Sequence, residues 1–334
     1  MAIETLYEKD GSLQALAGKT VAVLGYGSQG HAHAQNLRDS GVNVIIANRR
    51  DSDNGKRAIE HGFDPMPIEE AVPQADMIIV TLPDEAQPDI YEKKIKPNLK
   101  PGTVFGATHG FNVHFKTIEL PENVDVVMVA PKGPGHTVRS EFERGGGVPC
   151  LLAVEQDATG NADDMAVAWG IGIGGGKGGM LRTTFQDECE TDLFGEQTVL
   201  CGGISGLIKK GYEVLTEAGY PPELAYFEVC HETKLIIDLI IRGGLSFMRY
   251  SVSNTAEFGD YYTGPQVIDD GVKQRMKQAL DRIQSGEFAN TLREDYNNGF
   301  EWFYEQREKD KTHGVEQVGK ELRRMMPWLN PVEM

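Results

Sequence analysis

The chain has 334 residues, 40% of them hydrophobic and 25% charged, with a formal net charge of −17. That length accommodates two domains with separate cores, and the acidic balance argues against nucleic acid or an anionic membrane surface as partner, since both require clustered Lys and Arg. It favours a site that gathers cations instead. The four cysteines (Cys150, Cys189, Cys201, Cys230) form no C-x-x-C pair and no framework, so a reducing cytoplasm is expected. No secretory signal opens the sequence, and the apolar stretch around "LIIDLII" is too short to span a bilayer. A soluble, cytoplasmic protein is the expectation.

Up to about residue 182, short β-branched runs alternate with helical stretches. The runs are "TVAVLGYG" (20–27), "VNVIIAN" (42–48), "ADMIIVTLP" (75–83), "GTVFGAT" (102–108), "VDVVMVAP" (124–131) and "CLLAVE" (150–155). Apolar runs of this length, bounded by Gly or Pro, read as strands buried on both faces, hence a parallel sheet covered by helices. The glycine cluster "GIGIGGGKGG" (170–179) fails the phosphate-loop pattern because Gly178, not Ser or Thr, follows Lys177. It reads as a flexible turn or glycine-laden strand at the domain junction. From about residue 184 the strand signal stops, and helical segments are expected over 192–218, 222–241, 265–284 and 288–309. The expected organisation is an α/β doubly wound domain over 1–182, an all-helical domain over 183–329 and a tail at 330–334.

The first run leads into "GYGSQGHAHAQNL", which places Gly25, Gly27 and Gly30 in G-x-G-x-x-G spacing between a strand and a helix. Such glycines allow a tight turn and close backbone approach, and the helix N-terminus then meets a pyrophosphate. Residues Gly25, Tyr26, Gly27, Ser28, Gln29 and Gly30 are therefore the candidate cradle of a Rossmann-type domain that binds a nicotinamide dinucleotide. His31 and His33, two apart on a helix, point to different faces and suit packing or phosphate-proximal roles better than metal binding. The second run leads into "NRRDSDNGKR" (48–57), a mixed signal for the adenosine ribose, with Arg49 and Arg50 beside Asp51, Ser52 and Asp53.

Further along, "TFQDECETDLFGEQ" (183–196) carries five carboxylates in fourteen positions. Asp192 and Glu196 are four apart and share a helix face, as do Glu228 and Glu232 in "FEVCHETKLIIDLII". Their neighbours make both helices read as largely buried, where an unpaired carboxylate costs several kcal/mol. Cations between the pairs would explain them, and all-oxygen ligands favour two Mg²⁺ ions over zinc. The alternatives at this point are neutralisation by Lys or Arg, or exposed faces. Glu188 and Glu190 read as solvated acids or as acids behind the ligands, and His231 as packing.

The segments "GYGSQGHAHAQNL", "THGFN", "APKGPGH", "ETDLFGEQ", "FEVCHETKLIIDLI" and "SNTAEFGDY" resemble the short (class I) ketol-acid reductoisomerases, and the similarity extends over nearly the whole chain. The resemblance implies a two-step reaction of branched-chain amino-acid biosynthesis. A Mg²⁺-dependent alkyl migration in 2-acetolactate or 2-aceto-2-hydroxybutanoate is followed by NAD(P)H reduction to the 2,3-dihydroxy acid. It further implies that Asp192 and Glu196 are metal ligands, Asp192 bridging, and that Glu228 and Glu232 complete the surroundings of the second metal. By the same resemblance Ser253 holds the substrate carboxylate, and His109 is catalytic, with Lys132 nearby, by moving a proton or orienting a water. Leu82, Pro83, Asp84 and Glu85, with Gly135, flank the nicotinamide half of the cofactor. The helical domain is implied to be knotted or intertwined, and a homodimer is the minimal unit, with a higher oligomer left open. Relatives that use NADPH grip its 2′-phosphate with a basic residue and hydroxyls; with Asp51 and Asp53 in that loop, NADH or dual use is favoured over strict NADPH dependence. The competing readings are a 3-hydroxy acid dehydrogenase, which needs no buried carboxylate pairs, and a non-enzymatic dinucleotide sensor, which needs neither the carboxylates nor His109.

Overall fold

The computed structural model describes residues 3–329 and 331–332, so most of the expected tail at 330–334 lies outside the described residues. Two units divide the chain, Met1–Thr191 and Asp192–Met334. The division falls inside the helix Phe185–Gly195, later than the expected boundary after residue 182. The reason is burial, since Phe185, Glu188 and Cys189 on its first turns are all enclosed.

The first unit is built on an eight-stranded sheet of β1 (Thr5–Leu6), β2 (Thr20–Leu24), β3 (Asn43–Ala47), β4 (Met77–Val80), β5 (Val104–Ala107), β6 (Asp125–Pro131), β7 (Cys150–Gln156) and β8 (Met180–Arg182). The six expected strands all form, and their apolar runs fill two cores, one on each face. The strand order is β1-β8-β7-β6-β5-β4-β2-β3. Strands β2 to β6 pair in parallel, as expected. The sheet as a whole is mixed, because β7 runs antiparallel to β6 and β1 antiparallel to β8. Strand β2 lies between β3 and β4, so the chain reverses its direction of growth there, and a crevice opens at the carboxyl ends of the strands.

The glycine cluster at 170–179 is neither a flexible turn nor a strand. It forms the end of the helix Ala162–Gly172 and a short helix Gly175–Gly178, with Gly170, Gly172, Gly175 and Gly176 buried. A Cβ on Gly170 would stand 2.4 Å from Met180 Sδ, so the glycines serve close packing.

The second unit is helical throughout, over 202–217, 222–226, 232–251, 254–267, 270–284, 287–297, 301–311 and 314–324. Tyr212, Ala225, Tyr226, Val315 and Leu322 form a buried cluster within it. Two π-helical turns, Glu196–Leu200 and Phe227–His231, interrupt the helices where the carboxylates lie. The expectation that both carboxylate-bearing helices are buried does not hold within one chain. No residue of Glu232–Ser251 is buried, and Leu235 and Ile241 are 51% and 81% exposed. Among the described residues no helix is long and apolar enough to cross a membrane.

Candidate active site

The loop after β2 is shaped by its glycines. Gly25 has φ of 96°, and a Cβ on Gly30 would stand 2.3 Å from the Gly25 carbonyl. Thr81, after β4, braces this turn through its hydroxyl, which donates to the Leu24 and Gly25 carbonyls. Gly27 caps the helix Ser28–Asp39 without a side chain, and nothing lies within 4 Å of where its Cβ would be. No side chain caps the first N–H groups of that helix, the arrangement that suits a pyrophosphate. Gly135 opens another helix against the cradle. Its N–H donates to Ser28 Oγ at 3.1 Å, and a Cβ there would stand 1.5 Å from the Ser28 carbonyl oxygen. Gln29 reaches the Gly133 carbonyl at 2.9 Å. Tyr26 is buried and bonded to His61 Nδ1 at 2.9 Å, and its hydroxyl is pushed up to about 12 chiefly by burial. His33 packs inside, accepting from Trp169 Nε1.

After β3, Ser52 caps the helix Asp53–Glu60, its hydroxyl accepting from Gly55 N–H and donating to the Arg49 carbonyl. Arg50 pairs with Asp64 at the surface, and Arg49, Asp51 and Asp53 are exposed as well. Leu82–Glu85 follows β4, His109 follows β5 and Lys132 follows β6. All these residues stand at the carboxyl ends of parallel strands, where loops of such sheets bind their ligands.

Opposite them is Glu188, 1% exposed. Its Oε2 accepts from Gly110 N–H at 2.8 Å and lies 3.1 Å from His109 Nδ1, while Lys132 Nζ donates to Oε1 at 3.0 Å. Burial acts to raise this carboxyl's pKa, but the hydrogen bond and charge of His109, the Lys132 ammonium and the Gly110 N–H outweigh it and hold the group below the ordinary glutamate value. Glu190, 7% exposed, accepts from Gln186 at 2.9 Å and lies 3.3 Å from His114 Nε2.

Asp192 is half-buried and lies one turn beyond Glu188; Glu196 opens the π-turn that follows. Glu228 and Glu232 line a groove with Thr233, Ile236 and Ile237. Ser253 caps the helix Asn254–Val267, accepting from Ala256 N–H.

Two family models match the chain. Acetohydroxy acid isomeroreductase, NADPH-binding domain, matches residues 15–179, and ketol-acid reductoisomerase, C-terminal domain, matches residues 185–328. The chain belongs to the ketol-acid reductoisomerase family. A solved NADH-preferring ketol-acid reductoisomerase from an uncultured archaeon is 47% identical, with 96% of this chain and 98% of that one covered and a TM-score of 0.93. Two more distant structures share the fold. A putative oxidoreductase from a Jannaschia species is 16% identical over 82% of this chain and 98% of its own, with a TM-score of 0.62. A semialdehyde dehydrogenase NAD-binding protein from Cupriavidus necator is 18% identical over 80% and 99%, with a TM-score of 0.60.

As a ketol-acid reductoisomerase, the chain is an NAD(P)H-dependent oxidoreductase and isomerase of branched-chain amino-acid biosynthesis. In this enzyme Glu188 and Glu190 are not solvated acids; both are enclosed, Glu188 against His109 and Lys132 and Glu190 against Gln186. The signal for Glu188 was present in the spacing. Residues 188, 192 and 196 are each four apart, so Glu188 extends the stripe of Asp192 and Glu196 by one turn.

Proposed function

We propose that this enzyme converts 2-acetolactate or its 2-aceto-2-hydroxybutanoate homologue to the 2,3-dihydroxy acid, using two Mg²⁺ ions, with a preference for NADH or dual use. The observation that carries the metal reading is the donor set of the helical unit. Asp192, Glu196, Glu228 and Glu232 offer oxygen alone, and Glu228 and Glu232 line one groove. When bound, the ions would polarise the ketone and the adjoining hydroxyl of the substrate, which favours the alkyl shift.

The residues of the chain supply the rest. Glu188 at Nδ1 orients the His109 ring and makes Nε2 its basic atom, the group suited to take the hydroxyl proton or to hold a water. Lys132, fixed on the other oxygen of Glu188, brings positive charge to the substrate oxygen, which gains negative charge during reduction. Ser253 and the N–H groups of the helix it caps suit the substrate carboxylate. The cradle from Gly25 to Gly30 holds the pyrophosphate, Leu82 to Glu85 and Gly135 flank the nicotinamide, and the 49–53 loop meets the adenosine ribose. NADH preference is supported by the exposed Asp51 and Asp53, by the capping role of Ser52 and the surface pairing of Arg50 with Asp64, and by the NADH-preferring relative.

The exposed apolar side chains of Glu232–Ser251 support a homodimer whose helical domains intertwine, with a higher oligomer built on it. A cytoplasmic location goes with four cysteines that form no disulfide. The deciding measurement is oxidation of NADH and of NADPH with acetolactate, with Mg²⁺ and after full chelation. Turnover that persists in the chelated enzyme would overturn the metal reading, and no turnover of either acid with Mg²⁺ would overturn the substrate reading.

A further inference from the structure

Asn112 is 3% exposed, stands three residues after His109, and has no part in the chemistry described above. Its neighbours determine which way its amide faces. Nδ2 donates to the Asp84 main-chain carbonyl at 3.0 Å and lies 3.5 Å from Asp84 Oδ1, so the nitrogen faces two acceptors. On the other side Oδ1 accepts from the Thr117 hydroxyl. Thr117 arrives there because the chain folds back after the helix Phe111–His114. Lys116 takes φ of 53°, and the N–H groups of Thr117 and Ile118 bond to the Asn112 carbonyl at 3.1 and 3.2 Å. Gln87 closes the network from the β4 side, donating to Asp84 Oδ1 at 3.1 Å and to the Leu82 carbonyl at 2.8 Å. One buried side chain thus stitches the loop after β4 to the loop after β5.

We propose that Asn112 is a positioning residue that sets the nicotinamide relative to the His109–Glu188 group. The inference rests on the reading that Leu82 to Glu85 flank the nicotinamide. Reduction requires the hydride donor and the polar groups to meet one carbonyl carbon, and displacement by about 1 Å costs such a step heavily. The fork of an amide suits this task, because it donates to one loop while accepting from the other. An aspartate of the same shape would turn an oxygen toward the Asp84 carbonyl and carboxylate and push the loops apart.

The test isolates the hydride step by supplying the rearranged 3-hydroxy-2-oxo acid directly, with Mg²⁺ and the better nicotinamide donor, protiated or deuterated at the transferred position. In Asn112→Asp the reduction rate falls about tenfold or more, and the deuterium isotope effect rises because hydride transfer becomes slower than release. A folded variant with unchanged rate and isotope effect would overturn the proposal. Should Asn112→Asp fail to fold, Thr117→Val removes the hydroxyl that orients the amide and is read by the same two quantities. Leu82→Ser tests the underlying reading separately. An unchanged KM for the dinucleotide in that variant removes the nicotinamide from this loop, whatever Asn112 does.

Discussion

Glu188 Oε2 lies 3.1 Å from His109 Nδ1, a contact between residues 79 apart in the chain. With Lys132 on the second oxygen, the carboxylate gathers the ends of β5 and β6 onto the helix Phe185–Gly195.

Glu188→Gln removes the charge that His109 and Lys132 both contact. We expect kcat to fall at least about tenfold with the cofactor KM little changed. The substitution also changes how stability depends on pH. Because the folded carboxyl is held below the ordinary glutamate value, its contribution is complete above that value and is lost as pH falls through the lower, folded one. Denaturant unfolding at pH 7 and pH 4 should show wild type losing stability relative to the variant at the lower pH. A gap between the two proteins that stays constant would contradict the bonding of Glu188.

Asp192→Asn should abolish isomerisation while leaving dinucleotide binding intact. The amide is the weaker Mg²⁺ ligand and carries no charge, whereas the Gly25–Gly30 cradle belongs to the other unit. Calorimetric titration with dinucleotide and with Mg²⁺ separates the two effects. Substantial acetolactate turnover by this variant would remove Asp192 from the metal site.

If each site takes Asp192 and Glu196 from one subunit and Glu228, Glu232 and Ser253 from its neighbour, two inactive variants should rescue one another. Mixing Asp192→Asn with Glu228→Gln under conditions that exchange subunits creates hybrid dimers with one site free of both lesions. Activity should reappear on mixing. Its absence despite demonstrated exchange would mean that each subunit completes its own site.

Cofactor choice should follow the 49–53 loop. Ser52 and Arg50 are engaged by Gly55 and Asp64, whereas Asp51 and Asp53 face outward, where they repel a 2′-phosphate and accept hydrogen bonds from free ribose hydroxyls. Replacing both aspartates by serine should move kcat/KM toward NADPH by about tenfold, or about 1.4 kcal/mol. A wild type that already strongly favours NADPH, with no movement in the double variant, would end this explanation.

Features that act through near neighbours were legible in the chain. The glycines at 25, 27 and 30 shape a turn within their own segment, and the apolar runs that became β2 to β7 needed no knowledge of their partners to read as strands. The stripe of Asp192 and Glu196 follows from helical spacing alone. Strand direction was different, because β7 turns antiparallel through its register with β6, which hydrophobicity does not encode. Spacing leaves Glu188 open between a solvated acid and one behind the ligands, because its burial depends on His109, Gly110 and Lys132, brought from loops 56 to 79 residues away. The helix Glu232–Ser251 read as buried and stands exposed in the single chain. Apolar composition reports a tendency to be covered, while the surface that does the covering is decided by tertiary and quaternary packing.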